Sequence, residues 1–211
     1  MRLVSLDLDG TLIHPAIFNA VADALGFGDK LEETTRLYFE GKMSADETFH
    51  VDHKHFVGRR VDEMLAVLRE SDRWTPGIAD AVERWHDAGM EVAVTTDQPD
   101  YLAQATRELF GVDHLVCTPA EVANGRVTGR YDLQHDKWAN LERLLRARRI
   151  DPRDVVHVGN GSNDVPVFRQ VGAGIAVNPM NDGVRSAAKA SVEPLRDLGE
   201  VADLILSWSG R

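Results

Sequence analysis

The sequence predicts an α/β protein: a doubly wound, Rossmann-like parallel sheet with an inserted helical cap. Short apolar runs alternate with amphipathic segments, which is typical of parallel strands covered by helices on both faces. Residues 14–74, by contrast, show helical spacing of apolar side chains and no strand pattern. The 211 residues suffice for one sizeable core and an accessory unit. We therefore predict an α/β core made of residues 1–13 and 75–211, with the helical cap at 14–74.

Five short, mainly apolar runs are predicted to form the strands, because such runs suit a sheet that is buried on both faces. Asn124 and Gly125 have the chemistry of a type I′ turn, so a small β-hairpin or flap is expected there. The predicted strands are residues 3–8, 91–96, 114–117, 154–159 and 173–177.

Helix boundaries are predicted from capping residues, prolines and glycines. Thr75 is expected to cap a helix that has Pro76 at its first position and ends at Gly89. Ser44 and Glu47 match a capping box within the 14–74 segment. The other predicted segments are a short turn or helix opened by Thr118-Pro119 and helices at 101–110, 137–149, 164–170, 187–190 and 204–208.

The composition favours a soluble cytoplasmic protein. The formal net charge is −10, whereas binding to a phosphate backbone needs a basic face, so no nucleic-acid partner is expected. The single cysteine, Cys117, suits a reducing compartment. No apolar run approaches the ~20 residues of a membrane span, and no signal peptide is expected because the chain enters a strand at once. We expect no membrane association, and a monomer or homodimer.

The most specific chemical pattern is Asp7-Leu8-Asp9-Gly10-Thr11, at the end of the first predicted strand. Side chains alternate along a strand, so Asp7 and Asp9 are expected to point the same way. Two crowded carboxylates repel each other unless a cation or shared proton relieves them, and Mg²⁺ prefers such oxygen ligands. Asp7 is the candidate nucleophile on phosphorus and Asp9 the candidate acid and base. Gly10 and Thr11 are assigned to phosphate or substrate binding; the alternative is an acidic strand-to-loop turn.

Two further candidates for binding phosphate follow. Thr96 and Asp97 end the second predicted strand, where a hydroxyl and free backbone N–H groups make an anion site. The alternative is an ordinary helix N-cap. Lys137 lies at the predicted start of a helix, where the helix dipole disfavours a cation. It is expected to neutralise phosphate and Asp7; the alternative is a solvated surface lysine.

The loop at 159–164 is the fourth motif. It reads Gly-Asn-Gly-Ser-Asn-Asp, in which two glycines allow close backbone approach and three side chains carry oxygen. Magnesium would fit here against Asp7; the alternative is an Asn/Gly turn. The carboxyl ends of parallel strands lie on one edge of a sheet, so the four motifs are expected to converge there.

In this order the four motifs resemble those of the haloacid dehalogenase superfamily of phosphotransferases. The resemblance covers nearly the whole chain and is nearest to the phosphoserine phosphatase branch, through residues 40–43, 124–129 and 159–164. It implies that residues 14–74 are the family's cap, which closes over the site and selects the substrate.

The resemblance also implies a role for each motif residue. Asp7 corresponds to the phosphorylated nucleophile and a metal ligand. Asp9 corresponds to the acid and base, with its main-chain carbonyl on the metal. Thr96 and Lys137 correspond to the pair that holds the phosphate.

In the fourth motif, Asn163 corresponds to a further phosphate contact and Asp164 to the acid that supports the metal or its water. Two departures from the family pattern are present. Asn160 stands where the family has an acidic metal ligand, so metal affinity is expected to fall. Ala16 and Asp52 stand where the phosphoserine branch has an acid for the substrate's ammonium group and an arginine for its carboxylate. Phosphoserine itself is therefore not the expected substrate.

The predicted function is a Mg²⁺-dependent phosphatase that hydrolyses a small phosphorylated metabolite through an aspartyl-phosphate intermediate. The sequence leaves two alternatives open. One is a phosphotransferase that uses an acceptor other than water. The other is a catalytically weak domain that binds a phosphorylated ligand, for which Asn160 is the sequence support.

Overall fold

The structure, a computed structural model, describes residues 1–134 and 136–209. Within these residues eight strands form two sheets. The strands are β1 (Leu3–Leu6), β2 (Glu91–Pro99), β3 (His114–Thr118), β4 (Ala120–Ala123), β5 (Arg126–Tyr131), β6 (Val155–Gly159), β7 (Ala173–Val177) and β8 (Ala190–Val192).

The main sheet has six strands in the order β3-β2-β1-β6-β7-β8. Every neighbouring pair is parallel. Strands β2 and β3 follow one another on one side of β1. Strand β6 then pairs with the other side of β1, and β7 and β8 continue outward from it. This confirms the predicted doubly wound α/β fold.

Ten α-helices surround or extend this sheet in the described part of the chain, with short 3-10 turns between some of them. They are α1 (Ile17–Ala24), α2 (Glu32–Phe39), α3 (Ala45–Asp52), α4 (Val61–Arg69), α5 (Ile78–Asp87), α6 (Asp100–Phe110), α7 (Lys137–Arg148), α8 (Val165–Phe168), α9 (Asp182–Ala187) and α10 (Gly199–Ser209). None of those helices is long and apolar enough to cross a membrane.

Both faces of the sheet are buried, as the alternation of β1 shows. Leu3 packs in a cluster with Leu141 and Leu145 of α7. Its neighbour Val4 belongs to the larger cluster that contains Trp85 of α5. Successive strand residues point to opposite faces, so helices cover the sheet on both sides and leave its edge for the loops.

Residues 14–74 enter and leave the α/β part along two adjacent stretches of chain. The His14 amide donates to the Arg73 carbonyl at 3.1 Å, and the Thr75 amide donates to the Leu12 carbonyl at 2.8 Å. Between these connections the described residues form helices α1 to α4 and short 3-10 turns. The capping box of Ser44 at the start of α3 is present as predicted.

The small second sheet is the predicted hairpin. β4 and β5 pair antiparallel, and Asn124 and Gly125 both have positive φ, at 52° and 73°, as a type I′ turn requires. The hairpin also contacts the helical segment, because the Gly58 amide donates to the Val127 carbonyl at 2.8 Å.

Three local predictions are wrong. Thr75 does not cap α5; its hydroxyl donates to the Thr11 carbonyl at 2.7 Å, and the left-handed Gly77 precedes the helix instead. Thr118-Pro119 leads into β4 rather than a helix, because the hairpin that follows pairs with this segment. Residues 187–190 are not a helix: α9 ends at Ala187, and Ala190 begins edge strand β8.

Candidate active site

The predicted motifs meet at the carboxyl edge of β1 and β6, where the winding direction of the sheet reverses. The Asp7 amide donates to the Val158 carbonyl at 2.8 Å, so the loops that follow the two strands start side by side. Crevices at such switch points are where ligands bind in open α/β sheets. A pocket opens there, lined by Asp7, Asp9, Gly10, Thr96, Asp97, Gln98, Asn160, Asn163 and Met180 and, from residues 14–74, by Pro15, Ala16, Phe18, Asn19, Thr35, Tyr38, Ala45, Thr48, Phe49 and Asp52.

Lys137 joins two buried carboxylates at this edge. Its ammonium nitrogen lies 2.7 Å from Asp7 Oδ1 and 2.7 Å from Asp164 Oδ1. Burial disfavours the charged ammonium, but the carboxylates of Asp164 and Asp7 outweigh it and raise the pKa of Lys137. Lys137 is 4% exposed, so it is an internal counter-ion and not a solvated surface lysine.

Asp164 accepts four hydrogen bonds, from the side chains of Lys137 and His157 and from the amides of Asn160 and Gly161. Burial opposes its ionisation, but Lys137 and then His157 reverse the effect and lower the pKa of Asp164. Asp164 does not line the pocket. Its carboxylate holds Lys137 and the loop after β6, and its support of a metal or of the metal's water stays a prediction.

Asp9 is held separately from Asp7. Its Oδ1 accepts from the Ile17 amide at 2.8 Å, at the start of α1, and its Oδ2 accepts from Gln98 Nε2 at 2.5 Å. Burial raises the pKa of Asp9 to about 6, against these two hydrogen bonds. A carboxyl with such a pKa exchanges a proton readily near neutral pH, which suits an acid and base.

Gln98 is a site residue that the sequence reasoning missed. Besides binding Asp9, it lines the pocket, and its buried Oε1 has no hydrogen-bond partner within the described ranges. The sequence feature that could have identified Gln98 is its position, as a polar residue directly after Thr96-Asp97. The predicted strand stopped at residue 96, whereas β2 continues to Pro99 and carries Gln98 to the pocket.

Thr96 and Asp97 both line the pocket, and neither precedes α6 as its cap, since Pro99 does. Thr96 Oγ1 accepts from the Gln98 amide at 3.2 Å. Asp97 Oδ2 accepts from Asn163 Nδ2 at 3.1 Å. We predicted that Asp97 contacts the phosphate. A carboxylate repels phosphate, so the position of Asp97 is better explained by its hydrogen bond to Asn163.

The glycine of the first motif is required where it stands. Gly10 has φ of +74°, and a Cβ there would lie 2.1 Å from Asn160 Nδ2. The loops after β1 and β6 are therefore packed through a residue without a side chain. Thr11 is fully buried, does not line the pocket, and its Oγ1 has no partner among the described residues; its contact with substrate stays a prediction.

Asp7 and Asn160 line the pocket with side chains that carry oxygen, the kind of donor that a hard cation prefers. Asp7 Oδ1 is taken by Lys137, while no described hydrogen bond engages Oδ2. Within residues 1–134 and 136–209, no group of three His, Cys, Asp or Glu side chains could hold a metal ion. The donor set fits an oxygen-ligated divalent cation, but with less negative charge than three carboxylates would bring.

A polar chain runs under the site through three neighbouring strands. Ser5 Oγ lies 2.9 Å from both Thr95 Oγ1 and His157 Nδ1, and His157 Nε2 lies 3.0 Å from Asp164. A carboxylate only accepts, so Nε2 donates to it and Nδ1 accepts from Ser5. Burial lowers the pKa of His157, consistent with this neutral tautomer. No sequence pattern distinguishes these residues, because they lie within otherwise apolar strands.

Comparison with known families identifies the chain. A model of the haloacid dehalogenase-like hydrolase family matches residues 4–169. The chain belongs to this family. Several curated proteins similar to this chain are named phosphoserine phosphatase. This agrees with the resemblance of the sequence motifs to the phosphoserine phosphatase branch.

The phosphoserine phosphatase of Archaeoglobus fulgidus is 30% identical over 181 residues, which are 84% of this chain and 52% of that protein. That of Halobacterium salinarum is 27% identical over 208 residues, 96% of this chain and 98% of that protein. The chain thus spans about half the length of the Archaeoglobus relative, and 47% of a Streptomyces coelicolor one.

Solved structures agree on the fold. A substrate-bound phosphoserine phosphatase superposes with a TM-score of 0.81 at 22% identity, over 96% of this chain and 97% of that one. A phospho-aspartyl intermediate analogue of phosphoserine phosphatase gives 0.80 at 22% identity, over 96% and 98%.

We predict that Lys137→Met destabilises the protein by about 3 kcal/mol or more at pH 7.5, because it leaves two buried carboxylates without a cation. Urea unfolding measures this. Lys30→Met, at an exposed lysine, is the matched control and should change little. The double variant Lys137→Met/Asp164→Asn should recover part of the loss. Equal stability of Lys137→Met and Lys30→Met would contradict this account of the ion pairs.

Proposed function

We propose that this hydrolase-family member is a phosphomonoesterase for a small phosphorylated molecule. One observation carries the proposal: Lys137 bonds Asp7 at 2.7 Å at a pocket where Asp9 is held apart by its own partners. A nucleophilic carboxylate and a separate acid are what two-step phosphoryl transfer needs. The phosphoserine phosphatase relatives support the same chemistry.

In the proposed reaction Asp7 attacks phosphorus while the bond to the leaving oxygen breaks. Protonated Asp9 gives its proton to that oxygen, so the alcohol departs neutral and Asp7 carries the phosphoryl group. Asp9, now a carboxylate, takes a proton from the water that attacks the same phosphorus. The P–O bond to Asp7 then breaks, inorganic phosphate leaves, and both aspartates return to their starting states.

Charge in the pocket explains why this chemistry would use a divalent cation, for which we propose Mg²⁺. Asp7, Asp9 and Asp97 all line the pocket, and they would repel a phosphate dianion. Asp7, the Asp9 main-chain carbonyl and Asn160 are the residues that would hold the cation. When bound, it would offset charge on the transferred phosphoryl group.

We propose that residues 14–74 act as a cap on the active site. They supply much of the pocket wall, and their two connections to the α/β part lie side by side. The α1 amide of Ile17 binds Asp9, so the position of this segment sets the position of the proposed acid. A closed cap would exclude water from the first step.

The second candidate is a slow or idle domain that binds a phosphorylated ligand. Asn160 is the observation that favours it, because a neutral amide stands where the resemblance implies an acidic metal ligand. Weak metal binding would leave the phosphate charge poorly offset and reduce turnover.

Asp7→Asn should reduce hydrolysis of p-nitrophenyl phosphate with Mg²⁺ by at least about a thousandfold, because the amide is not a nucleophile. Lys137 keeps Asp164 as its partner, so circular dichroism and thermal unfolding should show a folded protein. Asp72→Asn, at an exposed residue, is the matched control and should keep full activity. Turnover by Asp7→Asn at the wild-type rate would refute the assignment of the nucleophile.

Asn160→Asp should tighten Mg²⁺ binding in calorimetry by about tenfold or more, because it restores one negative charge at the cation. Asn181→Asp adds the same charge at the N-cap of α9, where Asp caps as well as Asn, and should have a much smaller effect. If turnover rises with affinity in Asn160→Asp, metal binding limits the natural enzyme. Unchanged or weaker Mg²⁺ binding in that variant would reject Asn160 as a ligand position.

A further inference from the structure

Asp52 is a buried carboxylate on the pocket wall that lacks a counter-ion. It ends α3, lines the pocket and is 3% exposed. Among residues 1–134 and 136–209, no Lys, Arg or His nitrogen lies within the 4.0 Å of a salt bridge to it. A buried carboxylate is costly unless a cation or several hydrogen bonds compensate it.

The hydrogen bonding of Asp52 is also sparse. Within the same residues its one side-chain hydrogen bond comes from Thr34 Oγ1, at 2.6 Å. That hydroxyl lies 2.9 Å from the Leu31 carbonyl as well, and a threonine hydroxyl has one proton to give. Burial accordingly raises the pKa of Asp52 to about 6, which still leaves it ionised at pH 7.5. The carboxylate therefore has capacity for a further donor from within the pocket.

The neighbouring wall suits a cation and not an anion. None of the described residues that line the pocket is Lys, Arg or His. Phe18 and Phe49 line the same pocket as Asp52, and their apolar rings offer no donor that would neutralise its carboxylate. A substrate carboxylate at this wall would meet a like charge and no partner.

We propose that Asp52 binds an ammonium group at the end of the leaving alcohol remote from phosphorus, so that the substrate class is the phosphate monoester of a short amino alcohol without a carboxylate. This inference rests on the proposed function, since it concerns the leaving group of the same reaction. Asp52 is a specificity-determining residue in this scheme, and it takes no part in bond making or breaking.

The test compares two nearly isosteric esters, O-phosphoethanolamine and 2-hydroxyethyl phosphate, at pH 7.5 with Mg²⁺. The wild-type kcat/KM should be about tenfold or more higher for O-phosphoethanolamine than for 2-hydroxyethyl phosphate. A hydrogen bond from an ammonium group to the Asp52 carboxylate is stronger than one from a hydroxyl. Asp52→Asn should bring the ratio of the two values to about one. Asp72→Asn should leave the ratio as in wild type. Circular dichroism checks that Asp52→Asn is folded, and Asp52→Glu, which keeps the charge, should retain part of the preference.

Further comparisons distinguish failure of the Asp52 proposal from failure of the proposed phosphatase function. Phosphoserine should be a poorer substrate than O-phosphoethanolamine, because it adds a carboxylate, and a reversed order would overturn the proposal. Phosphate release from both esters without preference for the amine would also overturn it, while the proposed phosphatase function would stand. An amine preference that survives in Asp52→Asn would overturn the assignment to Asp52.

If no ester releases phosphate, the proposed phosphatase function fails, and binding alone decides the present inference. Calorimetry of the wild-type protein with O-phosphoethanolamine and Mg²⁺ should then show affinity about tenfold tighter than for 2-hydroxyethyl phosphate. Asp52→Asn should remove that difference. Equal affinities of wild type for the two esters would overturn the proposal.

Discussion

The ammonium group of Lys137 is the element on which the rest of the site depends. Two carboxylates buried at one sheet edge cannot both be ionised without a cation close by. Lys137, from the first turn of α7, lies at hydrogen-bond distance from both Asp7 and Asp164. Desolvation of such ions is expensive and is recovered only with good geometry and further hydrogen bonds, which Asp164 supplies through His157 and the loop after β6. The loop after β6 is therefore attached to the end of β1 through Asp164, Lys137 and Asp7.

The two aspartates of the first motif are held by different parts of the protein. Asp7 is fixed to the sheet edge by Lys137 and by the hydrogen bond from its amide to Val158. Asp9 belongs to the boundary between sheet and helical segment, since its partners are Gln98 at the end of β2 and the first amide of α1. The positive end of a helix favours a carboxylate, so α1 helps to hold Asp9 in place. Movement of residues 14–74 would act on the proposed acid without displacing the proposed nucleophile.

The sheet and the position of the site follow from local sequence patterns. Apolar runs bounded by glycine and polar residues identify the central strands, and parallel strands bring their carboxyl ends to one edge, so Asp7, Asp9 and Asn160 had to lie near each other. The hairpin at Asn124-Gly125 was predictable because the turn demands positive φ at both positions. β8 was not, since three residues of an edge strand carry no pattern of their own.

The polar contacts under and around the site were harder to predict. Ser5 and His157 occupy strand positions where an apolar residue would fit the pattern equally well, and only the register between β1 and β6 shows that they face each other. Gln98 acts through a partner 89 positions away in sequence. Nothing in the sequence indicates that Asp164 pairs with Lys137, which lies 27 positions before it. Pairings of this kind depend on tertiary packing and not on spacing along the chain.

The most direct test of the central claim is to locate the phosphoryl group during turnover. Rapid acid quench of the enzyme with p-nitrophenyl phosphate and Mg²⁺, followed by peptide mass spectrometry, should find an acyl phosphate on Asp7 and none in Asp7→Asn. Turnover with the phosphoryl group on another residue, or with no covalent species at any time of quench, would contradict the account.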